Sequence, residues 1–98
     1  MQRLDIDIYS DDQLHLKLRL ELVEVLRRII SERGWTQSKA AQELDISRPQ
    51  LCKLLGGMHW RTSELRIMQC IRHAGYDIEI IIKPSSKSGT GSIRVNTL

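Results

Sequence analysis

Between Gly34 and Leu55 the chain reads GWTQSKAAQELDISRPQLCKLL, and this stretch constrains the fold more than any other. Thr36 stands directly before the run 37–44, and Ser47 directly before the run 48–55. A hydroxyl at either place accepts a hydrogen bond from a free N–H in the first turn of a following helix. Pro49 fits the same reading, because it falls in a first turn, where its missing N–H costs nothing. Each predicted helix is about two turns long, too short to be stable alone in water. The pair must therefore pack on each other and on a neighbour across a corner of only three residues, Asp45, Ile46 and Ser47. Ala40 and Ala41 are small enough for a close helix crossing, and Leu44, Ile46, Leu51 and Leu54 supply an apolar seam. That leaves Arg48, Pro49, Gln50, Cys52 and Lys53 facing outward on the second helix.

The flanks supply the neighbours. Ser10 and Gln13 form a capping box with Asp11 and Asp12 between them, and Gly34 marks the end of the same helix. Inside it, LHLKLRLEL alternates with a strand period, but from Leu22 the apolar positions become helical: Leu22, Val25, Leu26, Ile29 and Ile30. Leu is not β-branched, so one helix from about residue 11 to residue 33 is expected. A fourth helix, 64–73, should be capped by Thr62 or Ser63, bury Leu65, Ile67, Met68 and Ile71, and stop at Gly75. The chain then changes character. YDIEIIIKP is rich in β-branched residues, alternates at Ile78, Ile80 and Ile82, and ends at Pro84, so a strand is expected there. SSKSGTG reads as a flexible connector, and SIRV as a short closing strand. The predicted fold class is mostly α, a compact helical bundle with a helix-turn-helix, plus a C-terminal β-strand or hairpin. Residues 1–9 form an acidic lead-in, 10–75 the helical domain, and 76–98 the β segment with a flexible tail.

Composition narrows the partners. Ninety-eight residues suffice for one core, and with two Trp, two Tyr and no Phe that core must be built from Leu and Ile. Residues 1–13 carry one basic and four acidic side chains, a net of −3, whereas the remaining 85 carry 14 basic and 8 acidic, a net of +6. A basic body of this kind permits polyanion binding. No apolar run is long enough for a bilayer and no signal-peptide pattern opens the chain, so no membrane association is expected. Cys52 and Cys70 do not make a disulfide framework, which fits a reduced, cytoplasmic setting. Together with His59 and His73 they have spacings that match no usual zinc module, and Asp5 and Asp7 precede the domain. No metal, cofactor or enzyme activity is expected, since no nucleophile has a nearby base and no Gly-rich phosphate loop follows a strand. Trp35 and Trp60 should pack at helix ends, although Trp60 could instead lie with His59 and Arg61 against a phosphate backbone. His15 should be exposed without a partner.

The outward face of 48–55 has specific chemistry. Arg can bond guanine O6 and N7, and Gln can bond adenine N6 and N7, in the major groove of DNA. Gln37 and the free N–H groups around it offer a phosphate site at the start of the preceding helix. Residues 34–57 resemble the helix-turn-helix of the Xre/Cro-type family, in which TQ opens the first motif helix, Ala sits in its middle and Ser caps the recognition helix. Over about residues 10–95, the layout also resembles small antitoxins paired with RelE- or HigB-like toxins. One departure stands out: Asp45 occupies the place after Leu44 where the family usually has Gly. The resemblance implies that Gln37 and Ser47 touch phosphates while Arg48, Gln50 and Lys53 face bases or nearby backbone, with Pro49 on the same face. It further implies a repressor of a palindromic double-stranded operator, with a RelE- or HigB-like toxin as partner. A general regulator without a toxin, or a protein-interaction module that does not read DNA, is the alternative. Ile78, Ile80 and Ile82 would make a homodimer, because a small helical domain has no sheet to receive their strand.

Overall fold

The structure, a computed structural model, describes residues 11–58 and 62–97. Four helices occupy them: α1 (Asp11–Arg33), α2 (Gln37–Leu44), α3 (Arg48–Leu55) and α4 (Glu64–His73). These are the helices expected from the capping and periodicity signals. The Ser10 capping box, the lead-in 1–9 and residues 59–61 lie outside the described residues. Helix α1 packs mainly on α4, and α2 bridges α3 and α4, so the two short helices rest on a scaffold of the two longer ones.

The LHLKLRLEL stretch is helical throughout, and burial shows why its alternation does not prevail. Leu14 and Leu18 are half-buried and Leu22 and Leu26 buried, a row spaced by four, while Leu16 and Leu20 stay 41% and 44% exposed. Leu, Lys, Arg and Glu all favour helix, and the row from Leu14 to Leu26 gives the segment its core-facing side. Leu22, Val23, Leu26 and Ile29 join Ala40, Ala41, Leu44, Ile46, Leu51 and Leu54 in an aliphatic core, with Trp35 half-buried at its edge. Ile67, Cys70, Ile71 and Ala74 complete it from α4. This corrects the expected stripe. Leu65 is 63% exposed, because two residues of helix turn it to the side opposite Ile67, while Cys70 and Ala74 continue the 67–71 row. Burial raises the Cys70 thiol above its ordinary pKa and keeps it protonated, as suits a core filler.

His15, expected without a partner, has one. It is exposed, yet its Nδ1 bonds the Glu64 carboxylate, which also takes Arg19 Nη1 at 3.1 Å. The clamp joins the first half of α1 to the start of α4. At the opposite end, Arg33 sits 5.2 Å from the Trp35 ring and 5.4 Å from the Tyr76 ring and donates to the Ala74 carbonyl at 3.2 Å. Gly75 there takes φ 94°, a conformation that glycine adopts freely, and so ends α4.

The C-terminal β segment is corrected. Among the described residues no strand forms, and 76–84 has no regular structure. Ile80, Ile81 and Ile82 are 80%, 78% and 93% exposed. The physical reason lies in the returning segment, which would have been the second strand of a hairpin. It docks on α1 instead: Val95 packs against the core and its N–H donates to the Glu21 carboxylate. Lys17 Nζ donates to the Ile93 carbonyl at 3.2 Å, and Arg28 Nη1 to Thr97 Oγ1 at 2.6 Å. Helix side chains satisfy groups that the ladder would have paired, and the isoleucine segment is left with no strand beside it. A lone pair of strands would be marginal in water in any case.

The Glu64 clamp has a pH signature. The hydrogen bond from His15, assisted by Arg19 and opposed by desolvation, holds the Glu64 carboxyl below its ordinary value of 4.5. A depressed folded pKa contributes stability that is present above the unfolded value and lost as pH falls through the folded one. Glu64→Gln should therefore lower stability near neutral pH and flatten its decline on acidification below 4.5. Urea melts across about pH 3 to 7 would show an unchanged acid limb if the clamp contributes nothing.

Candidate nucleic-acid interface

The corner between α2 and α3 is built by its caps. Thr36 Oγ1 accepts from the Lys39 N–H at 3.1 Å and fixes the start of α2. Ser47 Oγ accepts from the Gln50 N–H at 3.2 Å and fixes the start of α3, with Pro49 in its first turn. Asp45 lies between them in the left-handed conformation, φ 56° and ψ 50°. Its N–H reaches the Gln42 carbonyl at 3.4 Å and the Ile46 N–H reaches the Ala41 carbonyl at 3.1 Å, the double closure of a Schellman turn. Ile46 then packs inward beside Ala41, 9% and 6% exposed. Aspartate thus takes the glycine conformation at the family's turn position, and the motif is complete despite that departure. Asp and Asn visit this region at less cost than other residues with a Cβ.

Within this frame the predicted site residues are all exposed. Arg48, Pro49, Gln50 and Lys53 are all exposed on α3, with Ser47 at its cap and Gln37 exposed at the start of α2. Leu51 and Leu54, on the other side of α3, are buried. Among the described residues the side chains of Gln37, Arg48, Gln50 and Lys53 have no hydrogen-bond or ion-pair partner in the protein. Cys52 is exposed beside them. A groove lined by Ile46, Gln50, Lys53, Met58, Thr62, Ser63 and Arg66 lies between α3 and the start of α4.

Not every basic residue near this face is available. Lys39 Nζ lies 3.5 Å from the Glu43 carboxylate, and Arg72 donates to Gln69 Oε1. Arg66 donates from Nη2 to the Asp45 carbonyl at 2.9 Å, which sequence reasoning missed. That acceptor is a backbone atom 21 residues away, so neither side-chain pattern nor helical spacing signals it. His59, Trp60 and Arg61 lie outside the described residues.

A model of the helix-turn-helix domain family matches residues 6–83 of the chain. The chain belongs to that family. It is also similar to a solved structure provisionally named an XRE-family transcriptional regulator, at 24% identity and a TM-score of 0.77. The match covers 89% of this chain and 97% of the other, so the likeness includes the whole helical arrangement. No curated protein matches the chain. Among the described residues no helix is long and apolar enough to cross a membrane.

Proposed function

We propose that the chain is a sequence-specific DNA-binding transcriptional repressor that works as a homodimer on a palindromic operator. The observation that carries the reading is the set Arg48, Gln50 and Lys53: exposed, without protein partners among the described residues, and carried by the second helix of a capped helix-turn-helix. A solvated surface row would be expected to include acids or internal ion pairs, and α3 holds no acidic residue. In this reading Arg48 and Gln50 bond base edges in the major groove, and Pro49 lies against the same edges. Gln37 and Ser47 touch phosphates, and Lys53 faces bases or nearby backbone. The name of the similar solved structure points the same way.

Arg48→Ala and Gln50→Ala should each cost about 1–3 kcal/mol against the operator and relax preference at one base pair. Gln37→Ala should weaken all duplexes alike, and log affinity should fall steeply with log salt as counterions are released. Fluorescence anisotropy with an operator selected from a random duplex pool measures each effect. Affinity indifferent to salt and to both substitutions would assign the motif to protein interaction instead.

The dimer is proposed through the segment around Ile78, Ile80 and Ile82. Ile80 and Ile82 are the two most exposed large apolar residues described, and the backbone beside them has no partner strand. Pairing with the same segment of a second copy would cover both and set two α3 helices about 34–36 Å apart, the spacing of adjacent half-sites. Because Val95 packs on α1, point changes test this more cleanly than truncation. Ile80→Lys with Ile82→Lys should give a folded monomer by light scattering, with operator affinity close to the non-specific level. A dimer that survives both changes would place the interface on the helices.

The finer reading is an antitoxin that represses its own operon. Its support is the basic domain and the acidic lead-in at Asp5, Asp7, Asp11 and Asp12, which is suited to a basic, RelE- or HigB-like toxin. A neighbouring gene whose expression arrests growth, with rescue by this chain, is the expected result. No arrest, or no rescue, would leave a general regulator.

A further inference from the structure

We infer that Arg66 is a positioning residue for the recognition helix α3 rather than one of the cations that hold DNA. The inference rests on the DNA-reading function proposed above and assigns a role outside its contact residues. Arg66 stands in the first turn of α4, where its own N–H bonds Ser63 Oγ at 3.1 Å, so its backbone is fixed by the α4 cap. From there its side chain passes along the groove beside Ile46 and donates from Nη2 to the Asp45 carbonyl at 2.9 Å.

That carbonyl belongs to the residue that sets the angle between α2 and α3. Asp45 is the one non-glycine residue with positive φ among those described, and its conformation turns the chain out of α2 and into the Ser47 cap. A charge-assisted hydrogen bond is short and directional, more so than a neutral one. Here it joins a turn that carries a conformational cost to α4, a helix already packed on α1 and α2. His73, farther along α4, places Nε2 3.8 Å from the Asp45 carboxylate, so the turn is approached from α4 at two points. The side chains of Gln50 and Lys53 line the same groove as Arg66 but have no such tether. Base readout requires side chains held within fractions of an ångström, whereas phosphate attraction tolerates more slack. Loosening the turn should therefore cost specificity before it costs general affinity.

The test uses the full chain with Arg66→Met, which keeps the apolar stem, and Arg66→Gln, which keeps a shorter donor. The first readout is amide hydrogen exchange in the free protein. Ile46, whose N–H closes the turn, should exchange about tenfold faster in Arg66→Met, while Leu26 in the core keeps its protection. The second is anisotropy on two probes, the duplex that wild type selects from a random pool and a scrambled duplex. Positioning predicts about a tenfold loss on the selected duplex, with affinity for the scrambled one and the log–log salt slope both unchanged. Equal losses on both duplexes, with the slope reduced by about one, would make Arg66 a phosphate ligand and overturn the inference. Unchanged exchange at Ile46 would overturn it whatever the DNA results. If wild type selects no duplex, the proposed function fails, and faster exchange at Ile46 alone would still support Arg66 as the tether of the turn.

Discussion

Helices of eight residues do not persist alone in water, and α2 and α3 are both of that length. Their existence depends on the seam that Leu44, Ile46, Leu51 and Leu54 bury against α1 and α4. Burying a side chain of this kind is worth about 1.5–3 kcal/mol, so the shared seam, more than local propensity, is what holds the two short helices. The same seam decides what faces outward. Once Leu51 and Leu54 turn inward, Arg48, Gln50 and Lys53 have only solvent to face, and α3 becomes a surface of donors.

Polar groups elsewhere are used as fasteners. Glu64 gathers His15 and Arg19, Glu21 gathers Lys17 and the Val95 N–H, and Arg33 holds the Ala74 carbonyl between two aromatic rings. Burial alone would raise the Glu21 carboxyl, but Lys17, the Val95 N–H and Arg94 together hold it below its ordinary value. These contacts tie α1 to α4 and hold the segment around Val95 on α1. Among the described residues, the charged side chains near the corner without a partner, Arg48 and Lys53, are on α3.

Much of this arrangement was legible because it depends on contacts close in sequence. A hydroxyl three residues from the N–H it caps, a glycine after a helix, and apolar residues three and four apart are local facts, and the caps at Thr36, Ser47 and Ser63 agree with them. Leu65 was a local misreading, since two residues of helix place it opposite Ile67. The others involve distance. His15 and Arg66 found acceptors 49 and 21 residues away, which no periodicity reveals. The C-terminal hairpin failed because its second segment had a competing surface on α1, visible only once that helix was in place.

The sequence by itself determined the four helices, their caps, the leucine and isoleucine core and the set of side chains that α3 must turn outward, because backbone hydrogen bonding and burial periodicity act over a few residues. Tertiary structure alone decided that Arg66 would be tied to Asp45, and that 93–97 would lie on α1 while the isoleucines stayed uncovered. Those outcomes are competitions between partners far apart in the chain. They are settled by which donor and acceptor, or which apolar surfaces, the packed helices bring within reach.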